Sequence, residues 1–318
     1  MTDNILITGG HGMAGEAIKS YCPNAIFVSS KDCDLKWSLP TETMFIKYQP
    51  KYVIHLAAKV GGVKGNSDYV ADFYTDNIQI NTNILKYSEK YGVKKVVSLL
   101  STCVYPDTKY VTYPLTEDQL HMGPPHESNY GYAYAKRMLD VQSRAHNKQH
   151  GTKFVCAIPN NIFGEHDNFD LENGHVLPAI IRKIWEAKHK REDVTLWGDG
   201  SPLREFTYSK DVARALLFIL WSVDPKDLEH PVNIGNTQEH SIKVIAEKVA
   251  KILDFNGKII WDTSKPAGQF RKPSSNEKFK KLGFNTDSYT DLDKALKNTC
   301  DWFTMNYPNV RGYSSFIG

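Results

Sequence analysis

The sequence predicts an α/β fold built on a doubly wound parallel sheet. Three observations predict it. Short apolar runs alternate with longer helical stretches through the first half, the pattern of βαβ units. The first run opens into Gly9-Gly10-His11-Gly12-Met13-Ala14-Gly15 and then a helix. Further on, the buried run Val96-Val97-Ser98-Leu99-Leu100 ends in Ser101-Thr102-Cys103-Val104-Tyr105-Pro106, where the proline stops the strand.

In order, residues 4–8 read as a strand, and a helix follows the glycine turn to about Tyr21. Residues 25–29 and 52–57 read as the second and third strands. A long helix spans about 70–91, and 93–100 is the fourth strand. A helix covers 128 to about 150, and 153–159 is the fifth strand. Crossovers between parallel strands should be right-handed. Beyond Pro159 the pattern loosens. Residues 160–173 are polar and loop-like, and a helix follows over about 176–189. Short strands at 194–197 and 205–208 are separated by the turn 198–202, with helices near 209–221, 241–253 and 290–307. No linker divides the chain. The reading is a Rossmann-type domain over 1–165, with return segments near 204–235, interleaved with a smaller C-terminal α/β domain over 166–318.

The chain of 318 residues is 41% hydrophobic and 24% charged with net charge +3, which suits a globular enzyme with a full core. That charge is too mild to point to nucleic acid, though it suits an anionic small substrate. The five cysteines form no C-x-x-C pair, so free thiols are expected and no metal site. There is no signal-like N-terminus, and the longest apolar run, 215–221, is far short of a membrane span. A cytoplasmic protein is the expectation.

The glycine turn lies between a strand and a helix, the setting of a dinucleotide fingerprint, where the helix N-terminus receives a diphosphate. An acid at the end of the second strand usually selects NAD. Here Ser29-Ser30-Lys31 offers no carboxylate and one cation, so NADP(H) is the expected cofactor, with Lys31 toward its 2′-phosphate and Asp34-Leu35 toward the adenine. Tyr132 and Lys136, four apart, share a helix face. A nearby lysine would lower the tyrosine pKa and favour tyrosinate. Tyr130 and Tyr134 crowd the same helix start, so spacing alone picks out Tyr132. Cys103 taken alone reads as a small buried apolar residue, but at a strand end it is a second acid–base group.

These motifs resemble the GDP-L-fucose synthases, the 3,5-epimerase/4-reductases within the extended short-chain dehydrogenase/reductase family. The resemblance covers nearly the whole chain. It is carried by Gly9 to Gly15, Ala57-Ala58-Lys59-Val60-Gly61-Gly62, Ser101 to Pro106, Tyr132 to Lys136, Asp167-Asn168-Phe169, Gly174-His175-Val176-Leu177-Pro178 and Pro202-Leu203-Arg204-Glu205-Phe206. The thiol motif discriminates: nucleotide-sugar 4,6-dehydratases have an Asp-Glu pair at Thr102-Cys103. The resemblance implies catalysis by Ser101, Cys103, Tyr132, Lys136 and His175. It implies a cofactor site of Gly9, Gly12, Met13, Ala14, Gly15, Ser30, Lys31, Asp34, Leu35, Ala57, Ala58, Lys136, Pro159, Asn161, Ile162 and His175. Lys183, Trp197 and Arg204 would grip a GDP-sugar. Helices 70–91 and 128–150 would form a homodimer surface. Two departures stand out: Ala267 replaces the family's acid in the loop Lys265-Pro266-Ala267-Gly268, and His11 stands where some relatives carry arginine.

The implied chemistry suits these side chains. A 4-ketone acidifies the protons on C3 and C5, and inversion needs a base on one face and an acid on the other. A thiol and an imidazole titrate near enough to neutrality for both roles. Hydroxyls of Ser101 and Tyr132 would hold the enolate oxygen. The rival enzyme reading is a 4-reductase or epimerase for another nucleotide-sugar. The rival from another class is a scaffold that senses NADPH without turnover.

Overall fold

The structure, a computed structural model, describes residues 4–61, 63–172, 174–265 and 270–313. The first half runs β1 (Ile5–Thr8), α1 (Met13–Lys19), β2 (Ile26–Val28), α2 (Ser38–Tyr48), β3 (Tyr52–His55), α3 (Val63–Asp68), α4 (Val70–Lys90), β4 (Lys95–Leu99), α5 (Tyr130–His150) and β5 (Phe154–Ile158). The second half adds β6 (Asn161–Phe163), α6 (Val176–Lys190), β7 (Val194–Trp197), β8 (Leu203–Tyr208), α7 (Ser209–Ser222), β9 (Val232–Asn233), β10 (Glu239–Ser241), α8 (Ile242–Ile252), β11 (Ile259–Asp262), α9 (Glu277–Lys281) and α10 (Leu292–Asn306).

Six strands form one parallel sheet in the order β2-β1-β3-β4-β5-β9. The central strands β1, β4 and β5 are buried along their whole length, as a sheet covered on both faces requires. Val53, Val96 and Phe154 pack on one face against α2, α4 and α5, while Ile54, Val97 and Val155 pack on the other against α1 and α7. The chain leaves β1 in one direction and returns as β3 on its other side. That reversal opens a crevice at the strands' carboxyl ends, where ligands bind in such sheets.

A third apolar cluster lies apart from the sheet. It joins α6, α8 and α10 through Ile180, Ile184, Ile245, Val249, Leu296 and Phe303. Two small sheets flank it, β10-β8-β6 and β11-β7. The sequence reading placed 194–197 and 205–208 on either side of one turn. They do not pair with each other: β7 pairs in parallel with β11, and β8 sits between β6 and β10. The polar stretch read as a loop from residue 160 contains β6, and α2 was not foreseen.

His55 shows what burial at a strand end demands. It has no exposed surface. Its Nδ1 accepts from the Thr8 hydroxyl on β1 at 2.7 Å, and its Nε2 donates to Asn81 Oδ1 on α4 at 3.0 Å. Burial, and then the charge of Lys136, hold its pKa down at about 3. The fold therefore selects the neutral ring. Between pH 6.5 and about 3 the unfolded chain binds a proton that the folded chain does not. Stability should fall as pH drops through that window, by up to about 5 kcal/mol from this residue. Urea titrations at pH 7, 5 and 4 should show a shallower acid loss in His55→Gln than in wild type. Parallel losses would show that His55 does not drive the acid limb.

Candidate active site

The site begins where β4 ends. Ser101 is extended and caps a single 3-10 turn, Thr102–Val104, its Oγ accepting from the Cys103 N–H at 3.3 Å. Two consecutive residues of α5 hold this turn at both ends. Lys136, 2% exposed, donates to Leu99 O at 2.7 Å, just before the turn. Arg137 donates twice to Val104 O, at 3.0 and 2.6 Å, just after it, and once to Gly123 O at 2.8 Å. Neighbouring helix residues diverge by about 100°, so the pair straddles the turn. Tyr105 is fully buried and donates to Asn233 Oδ1 on β9 at 2.7 Å. Ser101 and Cys103 thus stand on a short arch pinned to α5 and to the sheet.

Tyr132, one helical turn before Lys136, faces the arch. Burial pushes its hydroxyl pKa up, and the neighbouring Cys103 adds to the rise. This corrects the expectation that Lys136 lowers it. The Lys136 ammonium is itself desolvated, its pKa brought down to about 8, and it is committed to the Leu99 carbonyl. Tyr132 is therefore held as a phenol, ready to give a proton. Its neighbours point elsewhere: Tyr130 is exposed and meets the Tyr134 ring edge-on, and Tyr134 lies under the Arg137 guanidinium.

The glycine loop lies at the reversal of strand order. Gly9 has φ +69°, and a Cβ on it would come within 2.8 Å of the Ala57 nitrogen. A Cβ on Gly15 would strike Gly10 O at 2.3 Å, so α1 packs as close to the loop as glycine allows. At Gly12 a Cβ would meet only Gly9 O at 3.3 Å and Arg311 Nη1 at 3.9 Å. That open side leads to the first turn of α1, with Met13 and Ala14, and fits the diphosphate of a dinucleotide. Ala57 and Ala58 follow β3, and the Asn77 amide clamps the next residue by bonding Lys59 N and O at 2.9 and 3.0 Å.

At the end of β2 the structure supplies a carboxylate that the sequence reading left out. Asp32 turns back and takes the Ser29 N–H and hydroxyl at 2.9 and 2.7 Å, which hold its pKa low. Ser30 and Lys31 stay exposed beside it. Asp34 accepts from Lys36 N, and the Leu35 side chain is buried in the core. The Leu35 side chain is therefore not available to a nucleotide base, and its carbonyl accepts from Thr41 Oγ1 and Asn83 Nδ2. Pro159 is buried at the end of β5, Asn161 donates to Glu205 O at 2.8 Å, and Ile162 is half-buried on β6.

The far wall comes from the second half. His175 stands at the N-cap of α6 without a capping bond of its own. Its ring is open to the cleft yet enclosed enough that desolvation, followed by the charge of Arg311, keeps its pKa below the usual imidazole range. Lys183 Nζ lies 5.2 Å from the Trp197 ring and Lys265 Nζ lies 6.0 Å from it, so an exposed indole carries two cations. Arg204 Nη1 bonds Leu203 O at 2.7 Å and Phe270 O at 3.3 Å. Burial lowers the pKa of both Lys183 and Arg204. Pro266, Ala267 and Gly268 lie outside the described residues.

Three basic residues at the site went unmarked in the sequence. Arg137 follows the motif lysine with no periodicity to single it out. Lys272 faces Cys103 and Arg204, and its pKa is lowered first by burial. Arg311 reaches the glycine loop from the far end of the chain.

The arrangement matches known proteins. The model of the NAD dependent epimerase/dehydratase family matches residues 5–235. A GDP-L-fucose synthase from Dictyostelium discoideum is 42% identical over 316 residues, 96% of this chain and 97% of that protein. A GDP-L-colitose synthase from Yersinia pseudotuberculosis is 32% identical over 306 residues, 94% and 97% of the two chains. Among solved structures, a GDP-L-fucose synthetase from Naegleria fowleri bound to NADP superposes with a TM-score of 0.92 at 42% identity, covering 98% of this chain and 96% of that one.

The arch predicts the behaviour of Arg137. Arg137→Met removes the donors to the buried Val104 carbonyl and the half-buried Gly123 carbonyl, which costs about 1–3 kcal/mol in a urea titration. It should also slow turnover at least tenfold while NADP+ affinity, measured by calorimetry, stays near wild type. Unchanged turnover would mean that the arch holds without its far clamp.

Proposed function

The chain belongs to the NAD dependent epimerase/dehydratase family, and from that premise we propose that it makes GDP-L-fucose by epimerising C3 and C5 and reducing C4 of GDP-4-keto-6-deoxy-D-mannose. The observation that carries this reading is the Cys103 thiol on the arch facing Tyr132. A reductase needs Tyr132 and Lys136; a thiol beside them adds a base for carbon acids. The cofactor is NADP(H), which supplies the hydride for C4 when bound. Glycine-loop residues Gly9, Gly12 and Gly15 and the first turn of α1 would hold its diphosphate, and Lys31 its 2′-phosphate.

Ser101 and Tyr132 donate to O4 and stabilise the enolate that forms there. Cys103 takes the proton from one face, and His175 serves the other. Tyr132 protonates O4 in the final step, as its raised pKa suits. Lys183 and Arg204 meet the substrate diphosphate, Arg204 in bidentate fashion, and Trp197 packs on the sugar or base. The cluster around α6, α8 and α10 forms the substrate-binding half. Two chains pair through the packed helices α4 and α5, whose Val70, Tyr74, Tyr130 and Val141 are exposed. Five free thiols agree with a cytoplasmic setting. No helix among the described residues is long and apolar enough to cross a membrane. The likeness to a GDP-L-colitose synthase would suggest a second reading, related chemistry on another keto-sugar, but the higher identity to GDP-L-fucose synthases favours the first. NMR of the product from GDP-4-keto-6-deoxymannose and NADPH separates the two: a GDP-sugar other than GDP-L-fucose, or no product, rejects the first.

Two predictions follow from these roles. In D2O without NADPH, wild-type protein should wash deuterium into C3 and C5, and Cys103→Ala should slow this by about 10²–10⁴-fold. Tyr132→Phe should lose reduction yet keep part of the exchange, since Ser101 still meets O4. Full-rate exchange in Cys103→Ala would make Cys103 a packing residue. For the cofactor, kcat/KM should favour NADPH over NADH, and Lys31→Ala should narrow that gap; equal values in wild type would refute the role of Lys31.

A further inference from the structure

The C-terminal segment delivers a cation to the glycine loop that no motif announces. Arg311 Nη1 lies 3.9 Å from where a Cβ on Gly12 would stand. Its backbone is fixed. Arg311 O accepts from Phe169 N at 2.9 Å, and Arg182 Nη1 donates to the next carbonyl, Gly312 O, at 3.1 Å. Gly312 has φ +83°, and a Cβ there would lie 2.1 Å from Asn168 Oδ1, so only glycine lets the segment lie this close. The same loop holds Asp167, buried and lifted to a pKa of about 7, with Oδ2 unbonded among the described residues. The charge of Arg311 acts to lower that pKa, yet among the described residues the two form no ion pair. Among the described residues its guanidinium has no hydrogen-bond or ion-pair partner. It is aimed across the cleft at the open side of Gly12. His11 of the glycine loop faces the α1 carboxylate of Glu16 at 3.7 Å.

We infer that Arg311 is a cofactor-binding residue that closes on the diphosphate of the dinucleotide from the side opposite the glycine loop. The inference rests on the proposed NADP(H)-dependent function and deepens it. The glycines of the loop offer backbone N–H groups and no side-chain charge. A diphosphate laid along it presents its outer oxygens to the space that Arg311 borders, where the planar fork can take two of them. The cation also stands beside His175, so the same side chain borders both the cofactor and the proposed proton donor.

Calorimetric titration of the full-length protein with NADP+, NAD+ and 2′-AMP tests this. Arg311→Gln keeps the backbone bonds and removes the charge. It should weaken NADP+ and NAD+ by the same factor, roughly ten- to a hundredfold, the worth of one or two charged hydrogen bonds. Binding of 2′-AMP, which has no diphosphate, should not change. Arg311→Lys keeps a charge without the fork and should fall between. Wild-type affinity for NADP+ in Arg311→Gln overturns the inference. A loss confined to NADP+ and 2′-AMP also overturns it, since the cation would then meet the 2′-phosphate. Should Arg311→Gln fold poorly, Arg311→Lys decides: weaker dinucleotides with unchanged 2′-AMP support the grip, and equal losses on all three ligands refute it. Failure of the functional reading looks different, because wild-type protein that binds NADP+ tightly but turns over no keto-sugar leaves the grip standing.

Discussion

A buried carboxylate without a cation holds the two halves of the molecule around the cleft. Glu205 on β8 is 2% exposed and accepts three hydrogen bonds: Ser274 N at 2.9 Å, Ser274 Oγ at 2.6 Å and Asn160 Nδ2 at 3.1 Å. Burial raises its pKa, and only these donors make the ionised form tolerable. Asn160 in turn accepts from Thr207 Oγ1 and donates to Asn236 O. Each partner sits next to a residue of the site: Pro159 and Asn161 beside Asn160, Arg204 beside Glu205, and Lys272 two residues before Ser274. The walls of the cleft are thus set by one polar junction and not by the apolar cores, which lie behind it.

The arch obeys the same logic on a smaller scale. Strand ends leave carbonyls unpaired, and a turn buried against a helix must find donors for them. Lys136 and Arg137 supply those donors to Leu99 and Val104. Fixing the carbonyls on both sides fixes the residues between them, Ser101 and Cys103. Lys136 is thereby committed to the strand carbonyl. The tyrosine pKa rises because burial, and then the neighbouring Cys103, disfavour the phenolate, against what spacing alone suggested.

Local signals were legible in the sequence and distant ones were not. The glycine loop, the strand ending at Leu99, and the Tyr132–Lys136 pair each announce themselves within a few residues, and the structure brings Ser101, Cys103, Tyr132 and Lys136 together. Helix α2 hid because it buries little besides Thr41, Met44 and Phe45, and it leaves Leu39 and Ile46 exposed. Strands β6, β10 and β11 are three or four residues long and gain their identity from partners about 34 to 65 positions away. Asp32 was passed over because only its return to Ser29 puts it at the end of β2. Lys272 and Arg311 are basic residues in irregular segments, and nothing in composition separates them from solvated lysines and arginines.

What unites the missed residues with the expected ones is their charge. Lys136, Lys183, Arg204 and Lys272 all have their pKa lowered chiefly by burial, and among the described residues none of them forms an ion pair. Two carboxylates near the cleft are held by other donors: Asp32 by Ser29 and Glu205 by Ser274 and Asn160. Unpaired desolvated cations destabilise the free protein, and the cost is recovered only when anions enter. A dinucleotide and a nucleotide-sugar each bring a diphosphate, so each ligand's binding lowers the repulsion among the remaining cations. The same positive field favours an oxyanion at O4 over the neutral ketone. Under the proposed roles, one electrostatic arrangement would draw in both ligands and stabilise the charge that the chemistry develops between them.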